Sequence, residues 1–298
     1  MSDQPPAGLP PVLRGLQALA GRYDGFILDL WGVLHDGERP YPGALDGLER
    51  LVSAGKRLCL LSNAPRRVEP VAGMLAGMGI GPGHYHHLMT SGEAAFEALL
   101  SRACDWHAGL GRACLHLGPE HDRQLFESLS GVERVDDPAR AEFVLNTGPS
   151  TYDDTPEDYG PVLALCARRG LPMVCANPDL EVMVGERVVE CAGALARRYA
   201  DLGGVVRYHG KPHPPVYRRC FELLGLDDRR RIVALGDTLH TDIAGAAAAG
   251  IDSVLVTGGI LLRDLGGPWG EAPPPAALAR LLPPGGPRPL AVLARFAW

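Results

Sequence analysis

Short apolar segments alternate with helical segments along most of this chain of 298 residues. The apolar segments are rich in Leu, Ile and Val, and many of them end in Asp, Asn or Ser. Such segments are typical of strands buried on both faces of a parallel sheet, with helices as the crossover connections. The pattern therefore predicts an α/β fold with a doubly wound parallel sheet. Predicted strands lie around Asp29 and at 57–61, 88–90, 113–117, 142–146, 172–176, 205–208, 231–235 and 253–257; predicted helices lie at 12–22, 43–54, 67–78, 91–103, 119–130, 156–169, 192–202, 215–224 and 242–249.

The composition argues against several classes of partner. A net charge of −6 gives no electrostatic reason to expect nucleic acid or an anionic membrane surface. We find no uncharged apolar run of the roughly 18 residues that span a bilayer, and the Pro-rich beginning lacks the pattern of a signal peptide. The seven Cys are scattered and form no C-x-x-C pair, which indicates neither a zinc site nor a disulfide framework. We therefore expect a cytoplasmic protein without a membrane or nucleic-acid partner.

Asp29 is the one charged residue in the apolar stretch 26–34. A buried charge is costly unless it is paired or holds a metal, so an acid at a strand end is a candidate nucleophile or metal ligand. The alternative is a strand that ends here with the carboxylate in water. In a doubly wound sheet the carboxyl ends of the strands lie together, and this would bring Asp29 into one crevice with four other residues. These are Ser62, Lys211, Asp237 and Asp242.

Two rare residue types also mark this predicted edge of the sheet. Lys occurs only at Lys56 and Lys211, among 29 basic residues, so Lys211 is a candidate for a role that needs a compact ammonium. All three Asn residues, Asn63, Asn146 and Asn177, follow apolar strands. Asn is common in turns, which is the alternative to a site role for each of them.

Three carboxylates and one Lys around such a crevice suit a phosphate monoester and Mg²⁺. Mg²⁺ prefers oxygen ligands and is usually held by one or two carboxylates together with water and phosphate oxygens. A carboxylate can also attack phosphorus and form an aspartyl-phosphate. Hydroxyl groups, backbone N–H groups and a Lys can hold the oxygens of the transferring phosphoryl group.

Four motifs in order resemble those of the haloacid dehalogenase-like (HAD) superfamily. They are DLWGV at 29–33, LSN at 61–63, GKP at 210–212 and GDTLHTD at 236–242. The long insertion between the second and third motifs contains NPD at 177–179 and CAGAL at 191–195, and resembles the class IIA cap of NagD-like and p-nitrophenyl phosphatase-like enzymes. The resemblance implies a core domain of residues 1–90 and 201–298, and a cap domain of residues 91–200.

The resemblance also implies a role for each matching residue. Asp29 would be the nucleophile and a metal ligand, and Lys211 would neutralise the phosphoryl group and fix Asp29. Asp237 and the main-chain carbonyl of Trp31 would bind Mg²⁺, with Asp242 supporting the metal site. Ser62, Asn63 and, in the cap, Asn177 would bind the phosphoryl group or substrate.

Trp31 departs from the family pattern, in which phosphatases carry a second Asp two residues after the nucleophile. That Asp gives a proton to the leaving group and later takes one from water, and an indole N–H can only donate. A phosphatase could act on a good leaving group or use another residue, for which His35 and Asp36 are the nearest candidates and a plain loop is the alternative. Two other functions are open besides that of a phosphatase. One is a phosphotransferase or slow enzyme with a lasting aspartyl-phosphate, and the other is a binding or regulatory protein.

The sequence leaves the substrate open within one class. We expect a small phosphorylated metabolite, closure of the cap over the crevice, and possible formation of a homodimer through the cap. Trp31 could stack on a planar leaving group, or it could simply fill the space left by Asp.

Overall fold

The computed structural model describes residues 8–127, 129–184, 187–282 and 284–298. The strands are β1 (Val12–Leu13), β2 (Gly25–Leu28), β3 (Arg57–Ser62), β4 (His87–Thr90), β5 (Ala113–Leu117), β6 (Glu133–Val135), β7 (Phe143–Asn146), β8 (Met173–Cys175), β9 (Glu181–Val184), β10 (Arg187–Glu190), β11 (Val206–Tyr208), β12 (Ile232–Gly236), β13 (Asp252–Val256) and β14 (Ala291–Leu293). The helices are α1 (Gln17–Ala20), α2 (Ala44–Ser53), α3 (Val68–Gly77), α4 (Ser91–Ser101), α5 (Asp105–Ala108), α6 (Gln124–Glu127), α7 (Gly160–Arg168), α8 (Ala192–Asp201), α9 (Pro214–Leu224), α10 (Ala244–Ala249), α11 (Leu262–Leu265) and α12 (Pro275–Leu281).

The chain divides into two compact units. Unit 1 comprises residues up to 62, 72–88 and 217–298, and unit 2 comprises 63–71 and 89–216. Unit 2 thus contains the whole stretch 91–200 that the sequence predicts as a cap. The assignment of core and cap roles stays a prediction. Within the described ranges, we find no helix long and apolar enough to cross a membrane.

The seven-stranded sheet has the order β1-β14-β13-β12-β2-β3-β4. From β1 to β3 along this order, each strand pairs in parallel with its neighbour. All four residues of β2 and all five of β12 are buried, as expected for central strands covered on both faces. The order changes direction at β2, because β3 and β4 follow on one side whereas β12, β13 and β14 lie on the other. The crevice beyond the ends of β2 and β12 is therefore a topological switch point, where doubly wound folds bind ligands.

Unit 2 contains a five-stranded parallel sheet with the order β11-β8-β7-β5-β6. Its strands alternate their side chains between two apolar layers. Val144 and Met173 pack in a layer with Tyr199 of α8. Phe143 and Val174 pack in the opposite layer, with α4. The antiparallel pair β9–β10 forms a separate two-stranded sheet.

The structure confirms the predicted fold class and corrects three of the predicted helices. The helix predicted at 12–22 is wrong in its first half, because residues 12–13 form β1 and pair in parallel with β14 near the end of the chain. The helix predicted at 119–130 begins instead as a 3₁₀ turn, Glu120–Arg123, before α6, and its residue 128 lies outside the described residues. The helix predicted at 242–249 starts as a π turn, Leu239–Ile243, because the side chain of Thr238 caps the backbone N–H of Asp242.

Candidate active site

Three carboxylates meet at the switch point of unit 1. Asp29 follows β2, Asp237 follows β12, and Asp242 lies in the π turn that comes next. Each offers an oxygen atom, and these atoms lie within 4.8 Å of one another. The three residues are 9%, 4% and 3% exposed, in that order. Among the described residues, this is the one group of three His, Cys, Asp or Glu side chains with such a spacing.

Backbone contacts hold Asp29 and Asp237 in place. The N–H of Leu30 donates to Asp29 Oδ1 at 2.8 Å, and the N–H of Ile260 donates to Asp237 Oδ2 at 2.8 Å. A Cβ atom on Gly32 would lie 1.8 Å from Asp237 Oδ2, and one on Gly259 would lie 2.1 Å from the same atom. The carboxylate of Asp237 therefore sits against two stretches of glycine backbone that no side chain can occupy.

Asp242 is fixed through the turn that precedes it. The hydroxyl of Thr238 donates to Asp242 Oδ2 at 2.8 Å, and the N–H of Thr238 donates to the same oxygen at 3.2 Å. The hydroxyl of Tyr217 donates to the backbone carbonyl of Asp242 at 3.2 Å. These bonds orient Asp242 towards the other two carboxylates, so that its position does not depend on a flexible side chain alone.

The donor set fits a hard divalent cation. Like charges this close in a buried site repel one another, and a cation that the three carboxylates share offsets that repulsion. Oxygen ligands without thiol or imidazole are those that Mg²⁺ takes. The side chains of Asp29, Asp237 and Asp242 can therefore hold Mg²⁺ together with water and substrate oxygens. Ligation by the carbonyl of Trp31 stays a prediction.

Ser62 belongs to the same sheet edge. It is the last residue of β3, which pairs in parallel with β2, and it is 2% exposed. Its position at the carboxyl end of the neighbouring strand is the position that the strand pattern predicts. Binding of the phosphoryl group by Ser62 stays a prediction.

Lys211 and Asn63 are held together in unit 2. Asn63 Oδ1 accepts from the backbone N–H of Lys211 at 2.8 Å and from the hydroxyl of Ser91 at 2.9 Å. Asn63 Nδ2 donates to the carbonyl of Lys211 at 3.1 Å and to Asp179 Oδ1 at 2.8 Å. An Asn side chain has two donor hydrogens and two acceptor lone pairs, and these four bonds use them. The amide of Asn63 therefore positions the segment that carries Lys211.

Gly210 is needed for the same arrangement. Its φ is +114°, and a Cβ atom there would lie 1.9 Å from Ser91 Oγ and 2.6 Å from Asn63 Oδ1. Lys211 is 3% exposed, so this loop carries a buried lysine side chain. Asn177 lies just after β8, where its Oδ1 accepts from the N–H of Asp179 at 2.9 Å. This bond forms the local turn that was the alternative to a substrate role, and the substrate role stays a prediction.

Trp31 packs on the loop that follows it. Its ring lies 5.2 Å from the ring of His35 at an interplanar angle of 65°. A Cβ atom on Gly37 would lie 2.4 Å from the indole, so the ring lies directly on the backbone of the loop. The indole thus has a packing role in this loop, which agrees with the simpler of the two explanations for Trp at this position.

His35 and Asp36 both have structural roles in this loop. His35 is fully buried, its Nδ1 accepts from the N–H of Gly37 at 3.0 Å, and its Nε2 has no hydrogen-bond partner. Burial lowers the pKa of His35 to about 4, despite the nearby charge of Asp36. Burial alone would raise the pKa of Asp36, but backbone N–H groups of Arg39 and Glu38 outweigh it and lower that pKa. Both side chains organise the loop, as expected for the plain-loop alternative.

Several residues of the site carried no distinctive sequence signal. Thr238, Ile260 and Gly259 act through local backbone geometry, and the sequence around them reads as ordinary turn. For Gly259, the sequence pattern that could have drawn attention is the Gly-Gly pair shortly after β13. For Thr238, it is the T-x-x-x-D spacing between this residue and Asp242. Neither pattern by itself indicates which carboxylate the residue contacts.

The fold and the site define a class of protein: a doubly wound α/β protein with buried carboxylates at the switch point and a second α/β unit inserted into the chain. Two family models match the sequence, a haloacid dehalogenase-like hydrolase model over residues 26–130 and a HAD-hydrolase-like model over residues 208–279. The chain is 30% identical to chronophin of Bos taurus over 263 residues, which cover 83% of this chain and 86% of chronophin.

Two solved structures extend the comparison. A haloacid dehalogenase-like family hydrolase from Brucella suis 1330 matches with a TM-score of 0.80 and 33% identity, over 97% of this chain and all of the other. Glycerol phosphate phosphatase from Mycobacterium tuberculosis, solved in complex with magnesium, matches with a TM-score of 0.63 and 25% identity, over 81% of this chain and 70% of that one. By sequence, the D-glycerol 3-phosphate phosphatase of that organism is 27% identical over 248 residues, and the chain covers 66% of its length.

The chain belongs to the haloacid dehalogenase-like hydrolases, in class IIA. The predictions of this family, of the fold class and of a HAD-type phosphatase as the enzyme class are confirmed. The relative solved with magnesium agrees with the predicted cofactor.

Proposed function

We propose that this protein is a Mg²⁺-dependent phosphatase that hydrolyses a small phosphorylated metabolite through an aspartyl-phosphate on Asp29. The observation that carries the proposal is the buried cluster of Asp29, Asp237 and Asp242 at the switch point of unit 1. The phosphatases among the relatives support the same reaction class. When bound, Mg²⁺ would hold phosphate oxygens and offset the charge that develops on them.

The reaction proceeds in two displacements at phosphorus. A carboxylate oxygen of Asp29 attacks the phosphorus atom, the bond between phosphorus and the ester oxygen breaks, and the leaving group departs as its oxyanion and is then protonated by water. Water then attacks the phosphorus atom of the aspartyl-phosphate, which releases phosphate and restores the carboxylate. The hydrogen bond from Leu30 N–H to Asp29 Oδ1 keeps that carboxylate in one orientation for both steps.

The remaining assignments follow from the family resemblance. We assign binding of the phosphoryl oxygens to Ser62, Lys211 and the backbone at Asn63, whose side chain positions Lys211. Metal binding is assigned to Asp237, Asp242 and the carbonyl of Trp31. Asn177 is assigned to binding of the substrate. We also propose a cytoplasmic location and a homodimer that forms through the cap.

Trp31 sets the leaving group that this site can release. The alkoxide of an alkyl ester needs a proton as it departs, and general acid catalysis is typically worth about 10²–10⁴ in rate. The indole ring cannot supply that proton and then take one from water. We therefore expect phosphate esters with good leaving groups to be hydrolysed much faster than alkyl esters.

Trp31 also favours a second candidate function. Without a general base, an aspartyl-phosphate on Asp29 would be hydrolysed slowly, which suits a phosphotransferase.

A protein that only binds a phosphorylated ligand for regulation would retain the same carboxylates. Such a protein would show thermal stabilisation by inorganic phosphate with Mg²⁺, and no turnover.

Hydrolysis of p-nitrophenyl phosphate with and without Mg²⁺ tests the proposal. We expect metal-dependent turnover in the wild type and a loss of at least about 10³-fold in Asp29→Asn, because the amide cannot act as the nucleophile. Asp46→Asn is the matched control, since Asp46 is an exposed residue of α2 that pairs with Arg50. Equal activity in Asp29→Asn and the wild type would contradict the assigned nucleophile.

A further inference from the structure

The sheet of unit 2 has its own topological switch point. After β5 the chain continues to β6 on one side, and then returns to place β7, β8 and β11 on the other side of β5. All these strands are parallel, so the crevice beyond the carboxyl ends of β5 and β7 is the place where an open α/β sheet binds ligands. In unit 1, the corresponding crevice holds the three carboxylates.

Polar side chains lie at the carboxyl ends of β5 and β7. Thr147 directly follows β7, and its N–H donates to the carbonyl of Leu117 at the end of β5 at 2.8 Å. The hydroxyl of Thr147 lies 2.9 Å from His116 Nε2. A Cβ atom on Gly118 would lie 1.9 Å from that hydroxyl, so the chain leaves room for it only because residue 118 is glycine.

Asp122 is the unusual member of this group. It lies in the 3₁₀ turn just after β5, is 2% exposed, and its Oδ1 has no hydrogen-bond partner. Two side-chain nitrogen atoms lie near this oxygen, Arg66 Nε at 3.6 Å and His121 Nε2 at 3.4 Å. Burial raises the pKa of Asp122, although the nearby side chains of His121 and Arg66 and a hydrogen bond from the Thr147 side chain to the carboxylate oppose this. A buried carboxylate oxygen without a donor costs free energy, which a ligand hydrogen-bond donor would recover.

The two side chains that lie next to Asp122 are partly exposed to solvent. The side chain of Arg66 is 41% exposed and that of His121 is 54% exposed. Arg66 Nη2 and His121 Nε2 lie 2.8 Å apart. Both side chains can therefore turn towards a ligand that enters the crevice, and both can then donate hydrogen bonds to it.

The charges at this site restrict the class of ligand. An ammonium or metal ion would be repelled by Arg66, and an anion would be repelled by the carboxylate of Asp122. A hydroxyl group suits both sides, because it can donate to Asp122 and accept from Arg66 or His121. Neighbouring hydroxyl groups can make several such bonds at once.

We propose that Asp122, Arg66 and His121, at the carboxyl ends of β5 and β7, form a binding site for a molecule with neighbouring hydroxyl groups, a polyol or an open-chain sugar. Asp122 Oδ1 accepts from one hydroxyl group, and Arg66 and His121 donate to the hydroxyl oxygens. The hydroxyl groups can belong to a free polyol or to the alcohol part of a phosphate ester.

A binding titration tests this site. The full chain is titrated with ribitol and with ribitol 5-phosphate in the absence of divalent cations. The matched probes without neighbouring hydroxyl groups are 1-pentanol and pentyl phosphate. We expect ribitol or its phosphate to bind at least about tenfold more tightly than the matched probe, the effect expected from one or two hydrogen bonds to charged groups. Binding of ribitol itself identifies a free polyol site, and a preference seen only between the two phosphates identifies the alcohol part of an ester.

Two variants and one control assign the effect to this cluster. Asp122→Asn and Arg66→Gln should each reduce the preference for the hydroxylated probe by about tenfold or more. Arg66→Gln changes an exposed side chain and so remains informative if Asp122→Asn does not fold. Asp136→Asn, at an aspartate of unit 2 with an 85% exposed side chain, should bind as the wild type does. Equal binding of the hydroxylated and matched probes, or an unchanged preference in Arg66→Gln, would overturn the proposal. Because binding is measured, a protein without phosphatase activity would refute the proposed function and leave this test intact.

Discussion

Trp31 separates this protein's site from the phosphatase pattern that its other residues follow. Three carboxylates are gathered at the switch point, yet the position two residues after Asp29 carries an indole. The ring packs on His35 and on the backbone at Gly37 instead of ending in a free proton donor. The proposed metal site and the position that carries the acid–base residue in the family can therefore each be tested by itself.

Replacement of Trp31 by Asp tests the acid–base part. In Trp31→Asp we expect the rate of alkyl phosphate hydrolysis to rise by about 10²–10⁴, because the leaving alkoxide gains a proton donor. The rise for p-nitrophenyl phosphate should be much smaller, since p-nitrophenolate leaves without a proton. Steady-state kinetics on both esters provide the measurement.

Trp31→Asn is the control for this prediction, because it has nearly the same shape as Asp but cannot transfer the proton. A similar rise in Trp31→Asn and Trp31→Asp would show that removal of the indole, and not the new acid, causes the change. No rise in either variant would contradict the assignment of position 31 as the place where the general acid is missing.

The loops after β12 and β13 decide how tightly the site is built. Gly259 follows β13, and its backbone lies against the carboxylate of Asp237, which also accepts from the N–H of Ile260. The loop therefore supplies both a hydrogen bond and the space that the carboxylate occupies. A side chain at residue 259 would displace the carboxylate of Asp237 or the backbone at Gly32.

Gly259→Ala should raise the Mg²⁺ concentration needed for half-maximal activity by about tenfold or more, because the added Cβ would overlap a metal ligand. Gly73→Ala is the control, since a Cβ atom at this residue of α3 meets no atom within 4 Å. Metal titrations of activity compare the two. A normal metal requirement in Gly259→Ala would show that Asp237 does not depend on this close approach.

All nine strands predicted from the sequence are present in the structure, but five further strands were not predicted. These are β1, β6, β9, β10 and β14. The segment 57–61 lies in β3 as predicted, because a buried parallel strand has a continuous apolar run, here residues 58–61, with polar residues on both sides. Residues 12–13 form a strand although the Leu spacing there favours a helix. Their partner, β14, lies near the other end of the chain, and local periodicity contains no information about such a pairing.

The same limit applies to the site. Asp29, Asp237 and Asp242 could be predicted to meet because the carboxyl ends of neighbouring parallel strands share one edge of the sheet. The role of the Asn63 amide as a support for Lys211 could not be predicted, because it depends on four hydrogen bonds to residues distant in sequence. Sequence reasoning thus predicted that these three carboxylates lie together, but it did not predict the hydrogen bonds that support Lys211.

At the scale of the whole molecule, two parallel sheets are joined in one chain, and each has a switch point lined by polar side chains. The first suits a metal and a phosphoryl group, and the second suits hydroxyl groups. Both crevices carry acids that a purely structural strand end would not need, Asp29 in unit 1 and Asp122 in unit 2.

Buried histidines make the stability of the whole protein depend on pH. Burial lowers the pKa of His35 and of His116 to about 4, and that of His209 to about 3. In the unfolded chain these groups have pKa values near 6.5, so acid protonates the unfolded state first. Their contribution to stability is therefore complete above about pH 6.5 and is lost as the pH falls towards 4.

Urea denaturation at pH 7 and pH 5 measures this loss. For His35 alone we expect the free energy of unfolding to fall by about 1–2 kcal/mol between the two pH values. His35→Gln should show a correspondingly smaller fall between the two pH values. The same fall in His35→Gln and the wild type would contradict the neutral, buried state of His35.

Chemical trapping of the phosphorylated enzyme tests the central claim most directly. The protein is mixed with p-nitrophenyl phosphate and Mg²⁺, quenched in acid and reduced with borohydride, and the peptide that contains residue 29 is analysed by mass spectrometry. An aspartyl-phosphate on Asp29 is an acyl phosphate and is reduced to the alcohol, homoserine, whereas a free carboxylate is not. We predict homoserine at position 29 only when both substrate and Mg²⁺ are present. Release of p-nitrophenol with residue 29 unmodified, or reduction at a different aspartate, would contradict the claim that Asp29 is the nucleophile.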